Sequence, residues 1–191
     1  MDWAELYRQN TTPWDMGGAH PELARRLDEA VLAPAPAGTR VLVPGCGRGH
    51  DALALAAAGF QVTAIDIVEQ LATQVEPGLG ASGGRFLTAD ALAFREAHAL
   101  LFEHTFFCAL PPELRGRYGE MAAACVESGG ELQAIVFPLD KEPRGEGPPF
   151  QMTLEDLVTA LGEAFELLED APIPTRPERP WLSRWARFRR R

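Results

Sequence analysis

The sequence predicts an α/β protein with a doubly wound, mostly parallel sheet. Along most of the chain a short apolar strand pattern is followed by a helical pattern, which is typical of parallel strands joined by crossover helices. The strand patterns are apolar throughout, as expected where helices cover both faces of a sheet. With 191 residues and 46% hydrophobic content, the chain can bury a sizeable core. We expect residues 1–191 to form a single domain.

The first half of the chain is predicted to supply three strands. Leu23, Leu27 and Val31 have helical spacing, so a helix is predicted over residues 21–32. The alternation then continues with strands predicted at 40–44, 60–66 and 84–90 and helices at 50–59 and 67–76.

The second half departs from strict alternation near its end. Two strand patterns follow each other there without a helix between them, which predicts an antiparallel hairpin and a reversed edge or inserted strand. The predicted elements are strands at 99–107, 131–139, 165–170 and 181–188, and helices at 153–164 and at 112–128, the latter closed by Gly129 and Gly130.

Composition excludes several classes of protein. The formal net charge of -9 disfavours a broad nucleic-acid-binding face, which requires clustered Lys and Arg. No apolar run approaches the roughly 20 residues that span a bilayer, and the N-terminus lacks a signal-peptide pattern. Cys46, Cys108 and Cys125 lie far apart, without the paired spacing of a metal site or a disulfide framework. We therefore expect a cytoplasmic protein that binds no metal, nucleic acid or membrane; its oligomeric state cannot be read from the sequence.

The stretch "VLVPGCGRGHD", residues 41–51, carries the main functional signal. An apolar strand runs into a loop with Gly45, Gly47 and Gly49 and then into a helix. Such a loop lets backbone N–H groups approach a ligand closely. Asp66, 19 residues after Gly47 (66 minus 47), ends the next strand, where a carboxylate can bind a ribose diol. The pair predicts a cofactor that contains adenosine.

The spacing of the glycines distinguishes between such cofactors. A dinucleotide fingerprint requires G-x-G-x-x-G, and His50 occupies the third glycine position here. The loop therefore favours S-adenosylmethionine over NAD or FAD, although a structural glycine turn without a nucleotide stays open. Asp90 and Ala91, after the third strand, fit a carboxylate and a backbone N–H that contact adenine. A helix N-cap is an equally good interpretation of Asp90.

Three segments together carry a family resemblance: "TPWDMGGAHPEL", "VLVPGCGRGHDALALAAAGFQVTAIDI" and "FEHTFFCALPPELRGRY". Between Trp3 and Tyr118 the chain resembles the thiopurine S-methyltransferase and thiocyanate, halide and thiol methyltransferase family of class I S-adenosylmethionine-dependent methyltransferases. The resemblance implies a Rossmann-like, seven-stranded sheet with an antiparallel C-terminal strand. It also implies S-adenosylmethionine as cofactor, a small-molecule methyl acceptor, and an N-terminal arm, residues 1–20, that covers the cofactor.

The resemblance also assigns cofactor-binding residues. The glycine loop would lie beside the methionine part, the acid after the second strand would bind the ribose, the pair after the third strand would contact adenine, and arm tryptophans would fold over the cofactor. A tryptophan that merely anchors the arm in the core is the alternative. The assigned residues are Trp3, Trp14, Gly45, Cys46, Gly47, Asp66, Ile67, Asp90, Ala91 and His104.

Glu103 and His104 are the candidate catalytic residues. Methyl transfer from a sulfonium to a soft nucleophile is an in-line displacement in which positioning supplies much of the acceleration. Trp14 could attract the sulfonium charge through a cation–π contact. If the acceptor is a neutral thiol, Glu103 and His104 could handle its proton, and a plain hydrogen-bonding role for His104 is equally open. His104 departs from the relatives, which often have Tyr in the thiocyanate and halide branch and Arg in the thiopurine branch.

Two functional hypotheses follow. The first is a methyltransferase that acts on a thiol, a thiopurine, thiocyanate or a halide. The second is a regulatory protein that binds the cofactor without transferring the methyl group; an oxidoreductase ranks third because of the glycine spacing. Residues 140–150, with Asp140, Lys141 and Arg144, could form a lid over the site, and a plain surface loop explains them equally well.

Overall fold

The structure, a computed structural model, describes residues 1–142, 146–175 and 180–191. The chain divides into two compact units, residues 1–91 and residues 92–191. Each unit is described by itself below. Within the described residues, every helix is too short or too polar to cross a membrane.

The first unit contains three parallel strands. β1 pairs with β2, and β2 pairs with β3, each in parallel register. Its elements are α1 (Trp3–Arg8), α2 (Pro21–Asp28), β1 (Arg40–Pro44), α3 (His50–Ala57), β2 (Gln61–Asp66), α4 (Ala72–Gly80) and β3 (Arg85–Thr88), with a 3-10 turn at Glu69–Leu71.

Two helices of this unit differ from their predicted bounds. α2 ends at Asp28 because the backbone of Ala30 turns left-handed, with φ 54°. Val31, at the helical spacing used for the prediction, is consequently 60% exposed. α4 starts five residues later than predicted, at Ala72, since Ile67 and Val68 form a turn after β2. The predicted helical bounds are therefore wrong at 32 and at 67, and α4 also continues to Gly80, past the predicted end at 76.

The second unit contains the four remaining strands. β4 and β5 are parallel, while β7 pairs antiparallel with both β5 and β6, which confirms the predicted hairpin as an inserted strand. The elements are β4 (His98–His104), α5 (Arg115–Cys125), β5 (Val126–Val136), α6 (Leu154–Leu161), β6 (Phe165–Ile173) and β7 (Ser183–Arg190), with 3-10 turns at Phe107–Ala109, Pro112–Leu114 and Gly162–Ala164.

The predicted C-terminal end of α5 is wrong. The sequence places Gly129 and Gly130 at the close of a helix over 112–128, yet β5 already begins at Val126 and contains both glycines. The register of β4 with β5 shifts between His98 and Leu100, opposite this segment. Gly129 has φ 80°, so the glycines accommodate a bulge inside a strand instead of a helix terminus.

The fold class is confirmed. The seven strands form one sheet in the order β3-β2-β1-β4-β5-β7-β6, and β7 is the reversed strand. A single domain over residues 1–191 stays a prediction.

Candidate active site

The loop between β1 and α3 adopts a backbone that glycine favours. Gly45, Gly47 and Gly49 have φ values of 59°, 54° and 75°, all in the left-handed region. A Cβ atom on Gly49 would lie 2.7 Å from Cγ1 of Val75 in α4. One on Gly47 would lie 2.7 Å from the hydroxyl oxygen of Tyr7. The loop therefore depends on glycine for close packing as well as for its turn.

Asp66 ties this loop to the end of β2. Its side chain is buried, and its Oδ2 accepts a hydrogen bond from the Gly47 N–H at 2.9 Å, while Oδ1 accepts one from the Val68 N–H at 3.0 Å. Burial raises the pKa of Asp66, and these backbone donors oppose the rise. A carboxylate offers about four lone-pair sites, so capacity for a ligand hydroxyl remains.

An open cleft of about 440 Å³ is lined by the two residues that follow Asp66 in the chain and by the start of the arm. Its lining includes Ile67, which is 56% exposed although it directly follows a buried strand. An exposed aliphatic side chain next to a buried carboxylate suits a ligand with both a flat apolar ring and a diol. The cleft is lined by Met1, Asp2, Trp3, Ala4, Ile67 and Val68.

The arm brings an aromatic cluster to the glycine loop. The ring of Trp14 packs edge-on against Trp3, with centroids 5.4 Å apart, and against Tyr7 at 5.8 Å. The indole N–H of Trp14 donates to the Tyr7 hydroxyl at 3.2 Å. Burial raises the pKa of Tyr7 to about 12, so the phenol keeps its proton. Because the Tyr7 hydroxyl also lies against Gly47, it belongs to the candidate site.

Arg48, inside the glycine loop, holds the arm in place. Its Nε lies 2.7 Å from Oδ2 of Asp15, and its Nη2 donates to the side-chain oxygen of Asn10 at 2.8 Å. Its guanidinium also lies over the Tyr7 ring, 5.5 Å from the centroid. Three parts of the arm thus converge on one side chain.

Two further contacts join the arm to α3. Nε2 of His50 lies 3.0 Å from Oδ1 of Asp15. The N–H of His20 donates to Oδ1 of Asp51 at 2.7 Å, and the His20 ring in turn caps α2 through the Glu22 N–H. Asp15 and His20 therefore have structural contacts in the arm.

Arg48→Ala is expected to weaken cofactor binding about fivefold, since it removes a small network of partly exposed ion pairs whose members each contribute up to about 1 kcal/mol. Calorimetric titration with S-adenosylhomocysteine checks this, together with the rate of proteolysis within residues 1–20, which should rise. Arg8→Ala is the matched control, because Arg8 is an exposed arm residue paired only along its own helix with Glu5 in the described contacts. Equal affinity in the two variants would contradict the holding role of Arg48.

In the second unit, Glu103 lies near the end of β4 and is 1% exposed. Its Oε1 accepts hydrogen bonds from the N–H groups of Phe106 and Phe107 at 3.0 and 2.8 Å. Burial raises the pKa of Glu103 to about 7, and the two backbone donors and Tyr118 oppose the rise. The carboxyl group therefore organises the turn that follows the strand.

His104 is the last residue of β4 and is half-buried. Thr105 has φ 68° and its hydroxyl donates to the His104 carbonyl oxygen at 2.6 Å. The strand prediction over 99–107 is thus wrong for its last three residues, where this left-handed residue leads into a 3-10 turn. His104 thus lies at the carboxyl end of its strand, the end at which ligands bind in open α/β sheets.

The structure brings together most of the predicted cofactor residues of the first unit. Trp3 and Ile67 line the cleft, Trp14 packs on Trp3, and Asp66 bonds Gly47. Cys46 is part of the same loop, and burial raises the pKa of its thiol well above the usual range. Gly45 shares the left-handed loop backbone.

The remaining predicted residues are Asp90, Ala91 and those of the candidate lid. Asp90 is exposed and Ala91 buried at the end of the unit, shortly after β3. Of the candidate lid, Arg144 lies outside the described residues. Lys141 donates to the carbonyl oxygens of Glu146 and Pro149 at 2.6 and 2.7 Å, so its ammonium group stabilises the loop itself.

Tyr7 is the site residue that the sequence analysis missed. It follows Trp3 by about one helical turn, and α1 starts at Trp3 with Asp2 as its N-cap. Two aromatic residues at i and i+4 lie on one face of a helix. That spacing would have identified Tyr7 had the arm been interpreted as helical.

The architecture matches that of solved methyltransferases. The crystal structure of 1,6-didemethyltoxoflavin-N1-methyltransferase from Burkholderia thailandensis, with bound 1,6-didemethyltoxoflavin and S-adenosylhomocysteine, superposes with a TM-score of 0.73 at 20% identity, covering 99% of this chain and 85% of that chain. This similarity shows a shared fold.

The sequence comparisons identify the family. The family described as Thiopurine S-methyltransferase (TPMT) matches residues 1–172, and the chain belongs to it. Thiocyanate methyltransferase 1 of Arabidopsis thaliana is 32% identical over 97% of this chain and 84% of its own length. A thiopurine S-methyltransferase of Azotobacter vinelandii is 26% identical over 95% of this chain and 91% of its own. The predicted family, enzyme class and cofactor are confirmed at this level.

Proposed function

We propose that this methyltransferase transfers the methyl group of S-adenosylmethionine to a small, soft nucleophile: a thiol, a thiopurine, thiocyanate or a halide. The observation that carries the proposal is the buried Asp66 carboxylate, which accepts a hydrogen bond from the Gly47 N–H and directly precedes Ile67, a residue of the cleft. The names of the relatives, a thiocyanate methyltransferase and a thiopurine S-methyltransferase, support the class of acceptor.

The residues of the first unit fit the cofactor. Asp66 would accept hydrogen bonds from the ribose hydroxyls, and the exposed side chain of Ile67 would lie against the adenine ring. Asp90 and the Ala91 N–H would contact the edge of adenine. Gly45, Cys46 and Gly47 would pass beside the methionine part, and at Gly47 an added Cβ would lie 2.7 Å from the Tyr7 hydroxyl oxygen. The arm, residues 1–20, would cover the cofactor.

The chemistry requires little from side chains. When bound, S-adenosylmethionine would supply a methyl group on a positively charged sulfur. A soft nucleophile would attack the methyl carbon in line with its bond to sulfur, and the sulfur would leave as the neutral thioether. Aromatic rings stabilise such a charge and exclude water, a role that suits the Trp3, Tyr7 and Trp14 cluster. A halide or thiocyanate ion carries no proton to remove, whereas a neutral thiol must lose one. His104 would accept that proton at its imidazole nitrogen.

A methyl-transfer assay over thiols, thiopurines, thiocyanate and iodide tests the proposal. Transfer to at least one of these acceptors is expected. Binding of S-adenosylhomocysteine without any transfer would instead identify a regulatory protein of the same fold. Glu76→Ala, which removes an exposed acid on α4, serves as the control variant for handling and folding.

His104→Gln is expected to separate the acceptors. Loss of a general base should lower kcat for a neutral thiol by about 100-fold, while iodide, which has no proton, should be methylated within about threefold of the wild-type rate because no such step exists. The measurement is kcat for both acceptors at pH 6 to 9. Equal losses for thiol and iodide would contradict proton transfer and indicate that His104 only orients the acceptor.

A further inference from the structure

The turn after β4 is built around the side chain of one buried acid. Both backbone N–H groups that begin the 3-10 turn Phe107–Ala109 point to the same oxygen, Oε1 of Glu103, at 3.0 Å from Phe106 and 2.8 Å from Phe107. A carboxylate that caps a turn in this way satisfies donors that otherwise have no partner within the turn. Glu103 is 1% exposed, so water cannot substitute for it.

The residue enclosed by this contact has an unfavourable backbone. Thr105 is β-branched, and its φ of 68° lies in the left-handed region, where side chains with a branched Cβ are rarely found. Such a conformation persists only where the surroundings enforce it. The hydrogen bonds of Glu103 join the residue two before Thr105 to the two residues after it, so they enforce this turn.

The far side of the turn packs into a buried aromatic cluster. The Phe107 ring is buried and packs edge-on against Tyr118 with centroids 4.9 Å apart, and the Arg115 guanidinium lies 4.9 Å from the same ring centroid. The Tyr118 phenol also interacts with the Glu103 carboxyl group. Through the Phe107 N–H, Glu103 therefore connects β4 to this buried cluster, and His104 and Thr105 are the residues between them.

We propose that Glu103 is a positioning residue, whose carboxyl group holds residues 105–107 in the turn that presents His104 to the methyl acceptor. This inference rests on the proposed function. It gives Glu103 a role different from proton transfer, because Oε1 accepts from two backbone donors and Oε2 is buried inside the protein. A neutral carbonyl oxygen in the same place can accept the same two hydrogen bonds.

Glu103→Gln and Glu103→Ala distinguish these roles. Gln keeps an acceptor oxygen and removes the acid, so kcat should stay within about threefold of wild type and its pH profile should be unchanged, whereas loss of a true proton-transfer group costs about 100-fold or more. Ala leaves both N–H groups without their acceptor, and a misplaced His104 should lower kcat by about 100-fold. Cofactor affinity, measured by calorimetry, should be unchanged in both variants.

A second-site substitution tests whether the turn itself is the cause. Glycine adopts the left-handed backbone without penalty, so Glu103→Ala combined with Thr105→Gly should regain about tenfold in kcat over Glu103→Ala alone, a fraction of the 100-fold loss that misplacement produces. Combination with Thr105→Ala removes the same hydroxyl without easing the backbone and should regain nothing. If Glu103→Ala does not fold, the dependence of kcat on pH in Glu103→Gln and in Thr105→Gly still tests the proposal.

Amide hydrogen exchange provides a readout that does not depend on activity. Phe106 and Phe107 should stay protected in Glu103→Gln and lose protection in Glu103→Ala, even if the wild-type protein methylates none of the acceptors tested. Failure of the proposed function is thus separable from failure of this inference. A 100-fold loss of kcat in Glu103→Gln with protection intact would overturn it, as would full kcat in Glu103→Ala.

Discussion

Gly119→Ala is expected to destabilise the protein by about 4 kcal/mol, although the same change in an open helix stabilises by up to about 1 kcal/mol. Gly119 is buried in α5 where that helix crosses α6. An added Cβ would lie 1.7 Å from the carbonyl oxygen of Ala160 and 2.7 Å from its carbonyl carbon. Both atoms belong to the backbone of α6, so the helices must separate to accommodate one methyl group.

Gly116→Ala is the matched control in the same helix. Its Cβ would meet no atom within 4 Å, and a gain of about 0.5 kcal/mol is expected from helix propensity and the lower entropy of the unfolded chain. Urea and thermal unfolding check the pair, with midpoints separated by about 10 °C or more for a chain of this size. Similar stability in the two variants would contradict the close crossing of α5 and α6.

The parallel part of the fold could be predicted because each strand is apolar along its length. β1 (Arg40–Pro44) was predicted at its observed bounds, and four of its five residues are buried. The hairpin of β6 and β7 could be predicted because the segment between two strand patterns holds prolines and no helical periodicity. These signals are local, and they depend only on periods of hydrophobicity and on turn residues.

Glycines have different structural roles in this protein, and the local sequence pattern does not distinguish between these roles. Gly119 allows α5 to pack closely on α6, and Gly129 accommodates a bulge in β5. Gly49 lies close to the side chain of Val75. Each requirement arises from a partner distant in the sequence. The helix bound at Gly129 was wrong for this reason, since a glycine pair after a helical pattern is also the usual signal of a C-terminus.

The candidate site also contains residues that could be predicted from the sequence and residues whose environment could not. Asp66 could be predicted from its separation from Gly47, because strand ends and the glycine loop meet at one edge of a parallel sheet. The environment of Glu103 could not, since an acid at a strand end can face a ligand or turn back onto its own backbone. The two N–H donors of Phe106 and Phe107 favour the second arrangement here.

Asp66→Ala is expected to raise the dissociation constant for S-adenosylhomocysteine by at least about 100-fold, because hydrogen bonds to a charged acceptor contribute about 1.5–3 kcal/mol each and two ribose hydroxyls lose theirs. Calorimetric titration measures the loss, and Glu76→Ala in the same unit controls for removal of an acid. The variant also leaves the N–H groups of Gly47 and Val68 without their carboxylate. Part of any loss could therefore come from the loop.

The ribose itself separates the two contributions. Wild-type protein should bind the 2′,3′-dideoxyribose analogue of S-adenosylhomocysteine at least about 30-fold more weakly than the parent compound, since the analogue lacks the hydroxyls that would donate to Asp66 under the proposed function. In Asp66→Ala this preference should disappear, because coupling between two groups is lost when either is absent. A variant that binds both compounds weakly yet keeps the full preference would show that another residue holds the ribose and that Asp66 only shapes the loop.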